Sequence, residues 1–385
     1  MIDGIKPDSP LRSLQGGHWF KLICGASYQY LPAIEHLTRI YALAGADCVD
    51  VAADPAVIAV ARRVLDHLDE FRDRLNDRLG FDFTAKPWLM VSLNDGEDPH
   101  FRKATFDPQA CPPDCSRPCE TICPTQAIRF DPVFEKRQQD AFGIGSSSAG
   151  AEEIAFPSSS GVKSTVSGVQ DDRCYGCGRC LPVCPIQHIG TRSQILAPDR
   201  LLPQIMESGV DALELHTQVG HEAVFENLWK AIVPWLPRLK GLAISCSFAP
   251  GAVDYLKSLY HLIHPLPCPL IWQADGRPMS GDIGKGTTHA AIDFAQAILQ
   301  AKLPGYVQLA GGTNAYTVPK LKTLGLLQQV PGHSPSIAGI AYGSYARKLL
   351  EPWLEEGRSL SPEQLMSSIE MARGLIHPLK VIRSE

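Results

Sequence analysis

Eight of the twelve cysteines in this 385-residue chain fall into two compact blocks, and their spacing is the clearest chemical signal in the sequence. The downstream block places Cys174, Cys177, Cys180 and Cys184 in a Cys-x2-Cys-x2-Cys-x3-Cys run that ends with Pro185. This run is typical of bacterial ferredoxins, in which the first three thiolates bind one iron-sulfur cluster and the fourth binds the other cluster. The block therefore predicts iron-sulfur ligation.

The upstream block has the same ending but a wider start. Its last two cysteines and Pro124 match the ferredoxin run, whereas its first two gaps each hold three residues where two are usual. With crossed ligation, one 4Fe-4S cluster is expected on Cys123, Cys174, Cys177 and Cys180, and a second on Cys111, Cys115, Cys119 and Cys184. Two 4Fe-4S clusters are thus the predicted cofactors, and the wider block makes the second one the less regular site.

Three other interpretations of the blocks stay open at this stage. Two zinc sites would also accept eight thiolates, although zinc sites favour separated cysteine pairs and give no reason for the Cys-Pro endings. Structural disulfides are a second alternative, and a single cluster beside a partly vestigial upstream block is a third. The remaining cysteines lie in or beside apolar runs and are expected to be buried, inert thiols: Cys24, Cys48, Cys246 and Cys268.

The elements that must position these cysteines are indicated by eight short apolar runs that alternate with longer amphipathic stretches. The runs are Phe20–Cys24, Cys48–Ala52, Trp88–Leu93, Ala212–His216, Leu242–Cys246, Leu270–Gln273, Tyr306–Leu309 and Ile337–Tyr342. Strands that are apolar throughout, with helices between them, are typical of parallel sheets covered on both faces. One of these helices is predicted over the apolar-periodic Ala56–Leu79, after Asp54 as N-cap and Pro55 as first helical residue. We predict an α/β fold, a TIM-like (β/α)8 barrel, with a doubly wound open sheet as the alternative.

The alternation is interrupted once, between the third and fourth runs. We predict a bacterial-type ferredoxin insert over residues 106–190, with barrel segments 1–105 and 191–385 on either side and a flexible Ser/Gly-rich loop at 143–168. A helix-like piece at Asp199–Glu207 precedes the fourth run, so the insert falls in a strand-to-helix loop. Such loops lie at the mouth of a barrel, where barrel enzymes keep their active sites.

Small residues at the ends of the seventh and eighth runs predict a cofactor-binding site at the same mouth. Gly311 and Gly312 follow the seventh run, and Gly343 and Ser344 follow the eighth. Barrels commonly bind a phosphate group on this pair of loops, which predicts a flavin or another phosphate-bearing ligand. The alternative is that these residues only make tight turns.

Four polar residues at strand ends are expected to face this space as well, either as site groups or as structural ones: Ser27, Asn94, Glu214 and His216. They suggest no acid/base pair, and we assign no catalytic residue.

Charge and composition exclude several other classes of protein. The formal net charge of −5 leaves no basic excess for binding phosphates, so no nucleic-acid partner is expected. The first ten residues lack the features of a signal peptide, and no apolar stretch reaches the length of a membrane-spanning helix. We expect no membrane insertion and a cytoplasmic location, where clustered cysteines bind metal more often than they form disulfides.

The segments CPPDCSRPCETICP and CYGCGRCLPVCP, with LAGGTN and IAYGSYARK in the flanking barrel-like sequence, resemble the light-dependent period family of cyanobacteria. This resemblance covers nearly the whole chain. It implies an iron-sulfur protein of circadian clock input, a redox sensor that uses electron transfer to report photosynthetic electron flow. It also implies clock input proteins and redox partners, and a peripheral association with thylakoid surfaces.

The residues themselves leave two functions open. One is a non-enzymatic redox sensor, which the resemblance favours. The other is a flavin-dependent oxidoreductase in which the ferredoxin module passes electrons to a flavin bound in the barrel.

Overall fold

A computed structural model of the chain describes residues 9–79, 85–97, 101–130, 167–193, 198–276, 287–327, 336–354 and 360–380. Within these residues the strands, in chain order, are β1 Trp19–Ile23, β2 Cys48–Ala52, β3 Trp88–Asn94, β4 Arg102–Thr105, β5 Ile128–Arg129, β6 Gly168–Val169, β7 Gly190–Ser193, β8 Ala212–Thr217, β9 Gly241–Ser247, β10 Leu270–Asp275, β11 Tyr306–Ala310 and β12 Ile337–Tyr342. The α-helices are α1 Pro10–Gln15, α2 Leu31–Ala44, α3 Pro55–Asp66, α4 Leu68–Leu79, α5 Pro118–Ile122, α6 Pro198–Glu207, α7 Glu222–Ile232, α8 Ala252–Ile263, α9 Thr287–Gln300, α10 Thr317–Thr323, α11 Ser344–Leu349 and α12 Pro362–Lys380.

Eight of these strands form a closed parallel barrel in the order β1-β12-β11-β10-β9-β8-β3-β2. Each predicted apolar run corresponds to one barrel strand, and two of them, Cys48–Ala52 and Ile337–Tyr342, have the predicted bounds. The α/β barrel is therefore confirmed, and the doubly wound alternative is excluded because β1 pairs with both β2 and β12. No helix among the described residues is both long enough and apolar enough to span a bilayer.

One helix prediction was wrong. The apolar period over 56–79 suggested a single helix, but the chain forms α3 and α4 with a break at His67. The break lies at His67, whose φ of −100° and ψ of 15° depart from helical values, although its N–H still donates to the carbonyl oxygen of Arg63 at 3.2 Å. The start of α3 follows the sequence, since the Asp54 carboxylate accepts hydrogen bonds from the N–H groups of Ala56 and Val57.

The described residues between β3 and α6 leave the barrel and include two short antiparallel pairs, β4 with β7 and β5 with β6. Because α6 leads directly into β8, this excursion lies in a strand-to-helix connection, at the end of the barrel where the strands finish. The predicted limits of 106–190 for the insert stay a prediction, and most of the loop at 143–168 lies outside the described residues.

The interior of the barrel is apolar at its lower end and charged in its middle. Trp19, Trp88, Met90 and Ile271 pack together near the strand starts. Above them, the fully buried Lys21 forms ion pairs with Glu214 and, at 3.2 Å, with Asp50. Barrels of this class usually fill such positions with branched apolar side chains, so the charged layer departs from the common pattern.

Hydrogen bonds extend this charged layer into a connected network. The Ser92 hydroxyl donates to Asp50 at 2.9 Å, and the Gln273 Nε2 group donates to Glu214 at 2.7 Å. Gln308 in turn donates to Gln273, and Trp19 Nε1 donates to Gln308 at 2.7 Å. The network thus joins strands from both halves of the barrel, and buried polar groups are tolerable when every member is paired in this way.

The buried charges perturb one another. Burial, only partly offset by Lys21, raises the pKa of Asp50 to about 6. Burial also opposes ionisation of Glu214, but Lys21 and His216 outweigh it and lower the pKa of Glu214 to about 2. The pKa of Lys21 is raised despite burial, because Asp50 and Glu214 favour its ammonium form. The Lys21 charge is therefore the counter-ion on which this layer depends.

Replacing that counter-ion gives a first prediction. We expect Lys21→Met to destabilise the folded chain by about 3–5 kcal/mol, because it leaves buried carboxylates without a cation. The midpoint of urea unfolding, followed by tryptophan fluorescence, measures the change. Lys230→Met, on the exposed face of α7, is the control and should cost about 0.5 kcal/mol or less. An unshifted midpoint for Lys21→Met would contradict the argument.

Candidate functional site

The two short antiparallel pairs determine which cysteines meet. In the β5–β6 pair, Ile128 lies opposite Val169, five residues after Cys123 and five residues before Cys174. In the β4–β7 pair, Thr105 lies opposite Gly190, six residues before Cys111 and six residues after Cys184. The β5–β6 pair therefore brings the end of the upstream block near the start of the downstream block. The β4–β7 pair brings the start of the upstream block near the end of the downstream block.

The first group consists of Cys123 and the first three cysteines of the downstream block. These four thiols line one cavity, together with Gly176, Gly178 and Tyr175. Cys123 is close enough to raise the pKa of each of the other three thiols by charge repulsion, alongside the larger effect of burial. Both glycines have a positive φ, 74° and 72°, which lets the backbone wrap closely around the cavity.

The second group consists of Cys184 and the first three cysteines of the upstream block. After burial, charge repulsion from Cys115 and Cys184 raises the pKa of Cys111. Cys119 has a pKa raised to about 11, chiefly by burial, with further contributions from Cys111 and Cys115. The structure thus brings the eight predicted ligands together in the two crossed groups, and the assignment of ligands to clusters stays a prediction.

Backbone N–H groups point at the sulfur atoms in both groups. Ala104 N donates to Cys174 Sγ at 3.3 Å, and Ala127 N donates to Cys123 Sγ at 3.1 Å. In the second group, His188 N donates to Cys184 Sγ at 3.3 Å. Hydrogen bonds of this kind stabilise negative charge on sulfur and tune the reduction potential of iron-sulfur clusters.

The electrostatics of the thiols favour a bound cationic centre. Burial, with repulsion from its neighbours, raises the pKa of Cys180 to about 12, so a free thiolate there is unfavourable. At Cys184 burial acts in the same direction, but backbone hydrogen bonds outweigh it and lower the pKa. Four thiols around one cavity, of which Cys180 is buried and the others are partly buried, can all be deprotonated when iron shares their charge, and the donor set fits an iron-sulfur cluster.

The geometry differs from that of a single-ion site. In the described ranges, no three His, Cys, Asp or Glu side chains converge on one point as the ligands of one metal ion do. A 4Fe-4S cluster instead carries its four thiolates on different iron atoms.

The other four cysteines lie outside both groups. Cys24, Cys48 and Cys246 are buried as expected, whereas Cys268 is only half-buried, so the expectation of full burial was wrong there.

The predicted loops at the barrel mouth also come together. Gly311, Gly312, Gly343 and Ser344 line one pocket. Its other walls include Glu214, His216, Ser92, Gln273, Tyr175 and Arg347. Gly311 and Gly312 have φ values of 70° and 76°, a conformation that favours glycine. The binding of a flavin or another phosphate-bearing ligand there stays a prediction.

Asn94 and Ser27 were expected at the mouth but are not among the residues that line this pocket. Asn94 accepts a hydrogen bond from Gly96 N at 2.8 Å and so closes a turn after β3. Ser27 is buried beside β1. Glu214 and His216 do line the pocket, and the His216 Nε2 atom lies 2.9 Å from Glu214 Oε1.

Sequence reasoning missed two residues that join the mouth pocket to the cysteines. Tyr175 stands between two predicted ligands, is 6% exposed, and lines both the cysteine cavity and the mouth pocket. The guanidinium of Arg347 lies 4.0 Å from the centre of its ring. The only sequence signal was an aromatic residue within the tight ligand loop, and Arg347 is 172 positions away in the chain.

A buried lysine lies beside the first group. The Lys103 Nζ group donates to Gln29 Oε1 at 2.8 Å and to the carbonyl oxygen of Asp171, and the lysine interacts electrostatically with Cys174. Burial lowers the pKa of Lys103. As an ammonium ion, Lys103 would stabilise the added negative charge of a reduced cluster more than that of an oxidised one.

We therefore predict that Lys103→Gln lowers the reduction potential of the cluster at Cys174 by about 50–100 mV, the size of a nearby charge in a partly buried setting. Redox titration followed by electron paramagnetic resonance measures the potential. Lys230→Gln, an exposed cation on α7, should leave it unchanged. An equal potential in wild type and Lys103→Gln would show that the lysine does not act on the cluster.

Comparison with known proteins is consistent with this geometry. A family model described as the LdpA Fe-S cluster-binding domain matches residues 111–147 and 154–195. A second model, described as the light dependent period A C-terminal domain, matches residues 204–378. A protein named Light dependent period A, from Synechococcus elongatus, is 50% identical over 377 residues, which cover 96% of this chain and 94% of the relative.

Proposed function

The chain belongs to the light dependent period A family, and we propose that it is a redox sensor in which two 4Fe-4S clusters report light-dependent cellular redox state to the circadian clock. The match to an iron-sulfur cluster-binding domain indicates an iron-sulfur cofactor. The observation that carries the finer proposal is the crossed grouping of cysteines, with Cys123 lining one cavity beside Cys174, Cys177 and Cys180.

Within this proposal, residues 106–190 are a bacterial-type ferredoxin insert. The first cluster is bound by Cys123, Cys174, Cys177 and Cys180, and the second by Cys111, Cys115, Cys119 and Cys184. The spacing of the downstream block, the register of the two antiparallel pairs and the N–H donors around the sulfur atoms all support this assignment.

The two clusters would differ in depth, which suits a sensor that exchanges electrons with a partner. Cys177 packs against the core of the barrel, and Tyr175 is part of that core. Two positions after Cys184, by contrast, Ile186 is 49% exposed. Electrons would enter at the second cluster, which is the outer one and includes Cys184. The first, inner cluster, which includes Cys177, would then change its charge beside the barrel. Cytoplasmic clock input proteins and redox partners are the proposed readers, with peripheral association at thylakoid surfaces.

Iron and sulfide counting tests the number of clusters. We predict about eight irons per chain in anaerobically purified protein, and about four in Cys115→Ser or in Cys177→Ser, because each substitution removes a ligand of one cluster. Cys268→Ser is the matched control and should keep about eight, since this thiol lies in neither group. A count of about four irons per chain in the wild type would show that only one cluster is bound. Zinc in place of iron would contradict the proposal.

The signalling role needs a measurement in cells. In a cyanobacterial strain whose own gene is replaced, we predict that the Cys177→Ser variant makes the circadian period insensitive to light intensity. The Cys268→Ser variant should keep the light dependence. If the circadian period of Cys177→Ser cells still responds to light intensity at equal protein abundance, the clock does not depend on this cluster. That result would refute the sensing role.

A flavin-dependent oxidoreductase is the second candidate, and one observation favours it: Tyr175 lines both the cysteine cavity and the mouth pocket, so a flavin in that pocket would adjoin the cluster loop. In such an enzyme the flavin would supply hydride or electron transfer, and Gly311, Gly312, Gly343 and Ser344 would hold its phosphate. Flavin bands beside the iron-sulfur absorption in the visible spectrum of purified protein would favour this candidate, and spectra without them would weigh against it.

A further inference from the structure

Arg347 is a buried cation without a carboxylate partner among the described residues. The residue lines the mouth pocket and is only 7% exposed. Its Nη1 group donates to the carbonyl oxygens of Ile23 and Cys24, at 2.7 and 3.0 Å, and its Nε atom has no hydrogen-bond partner in the described part of the chain. The aromatic face of Tyr175 covers one side of the guanidinium.

This arrangement is costly unless an anion completes it. A guanidinium cannot lose its proton at accessible pH, so burial cannot be relieved by neutralisation. Buried charges in proteins are paired as a rule, and Lys21 in the same barrel follows that rule with Asp50 and Glu214. Carbonyl oxygens and an aromatic face offset part of the cost for Arg347, but they carry no full negative charge.

The walls of the pocket beside Arg347 suit an oxyanion. Gly311 and Gly312 place backbone without side chains at the pocket surface, where N–H groups can approach a ligand closely. The hydroxyl-bearing Ser344 lines the same pocket. One carboxylate, that of Glu214, also lines it, but its charge is already paired with Lys21.

We propose that the barrel mouth binds a phosphate group through Arg347, Ser344 and the backbone of Gly311 and Gly312. The site includes none of the cysteines, and its existence does not depend on the proposed sensing role. The phosphate is either inorganic or the terminal group of a small phosphate ester. Arginine is well suited to both because its planar fork matches the oxygens of phosphate.

Binding of inorganic phosphate to the purified holoprotein, measured by calorimetry in a phosphate-free buffer, tests the proposal. We expect saturable binding at one site, weakened about tenfold or more in Arg347→Met and about threefold in Ser344→Ala. Lys320→Met, which removes an exposed cation on α10, is the control and should bind like wild type. The visible absorption of the clusters verifies that each variant is folded.

The two sources of phosphate are separated by a matched pair of ligands. Flavin mononucleotide and riboflavin differ by one phosphate group. Binding of the mononucleotide that is stronger than that of inorganic phosphate and is lost with riboflavin assigns an ester, whereas equal affinity for the mononucleotide and inorganic phosphate assigns the free anion.

Four results would overturn the site: no saturable binding of phosphate or mononucleotide, equal affinity for riboflavin and its phosphate, equal losses in Lys320→Met and Arg347→Met, or an Arg347→Met variant that binds like wild type. If Arg347→Met loses its clusters, Ser344→Ala decides, and an unchanged affinity for phosphate in that variant refutes the proposal.

Discussion

The arrangement of the cysteines depends on the backbone register of two very short antiparallel pairs. Ile128 pairs with Val169, and Thr105 pairs with Gly190. Because neighbouring residues on a strand face opposite sides, a slip of one residue in either pair would turn the adjoining cysteine away from its partners. Short pairs are weak by themselves, so their register must be fixed from outside. Burial of Ala104, Ile128 and Ile189 in one apolar cluster supplies that constraint.

The barrel holds the ends of this segment in place. Its closure requires β1 to β3, which precede the segment, and β8 to β12, which follow it, so neither part has a complete sheet alone. The charged layer makes the same connection inside the barrel, since Lys21 on β1 pairs with Glu214 on β8, 193 positions away. A segment anchored at both ends in one closed sheet has little freedom to separate its two cysteine blocks.

The sequence was sufficient for the barrel strands because each is buried on both faces and therefore reads as a short apolar run. The crossed grouping of cysteines could also be anticipated, from ferredoxin spacing. The sequence did not reveal the interactions between polar residues that lie far apart in the chain. Lys21 is a single lysine within the apolar run WFKLI, and neither Glu214 nor Arg347 carries a local signal of its partner. The break at His67 was missed because the apolar period continues through it, while the break itself is a change in the backbone angles of one residue.

Tyr175 makes the cysteine cavity and the barrel mouth parts of one structure. Its backbone belongs to the tight loop between Cys174 and Cys177, and its ring rests on Arg347, whose Nη1 group is bonded to the end of β1. A movement of the ligand loop therefore requires a movement of the ring, and a movement of the ring disturbs a buried cation. Since that cation is bound to β1 and covered by the ring, its position cannot change without altering the pocket wall. In the proposed sensor, this contact is a mechanical route by which a change at the inner cluster reaches the barrel.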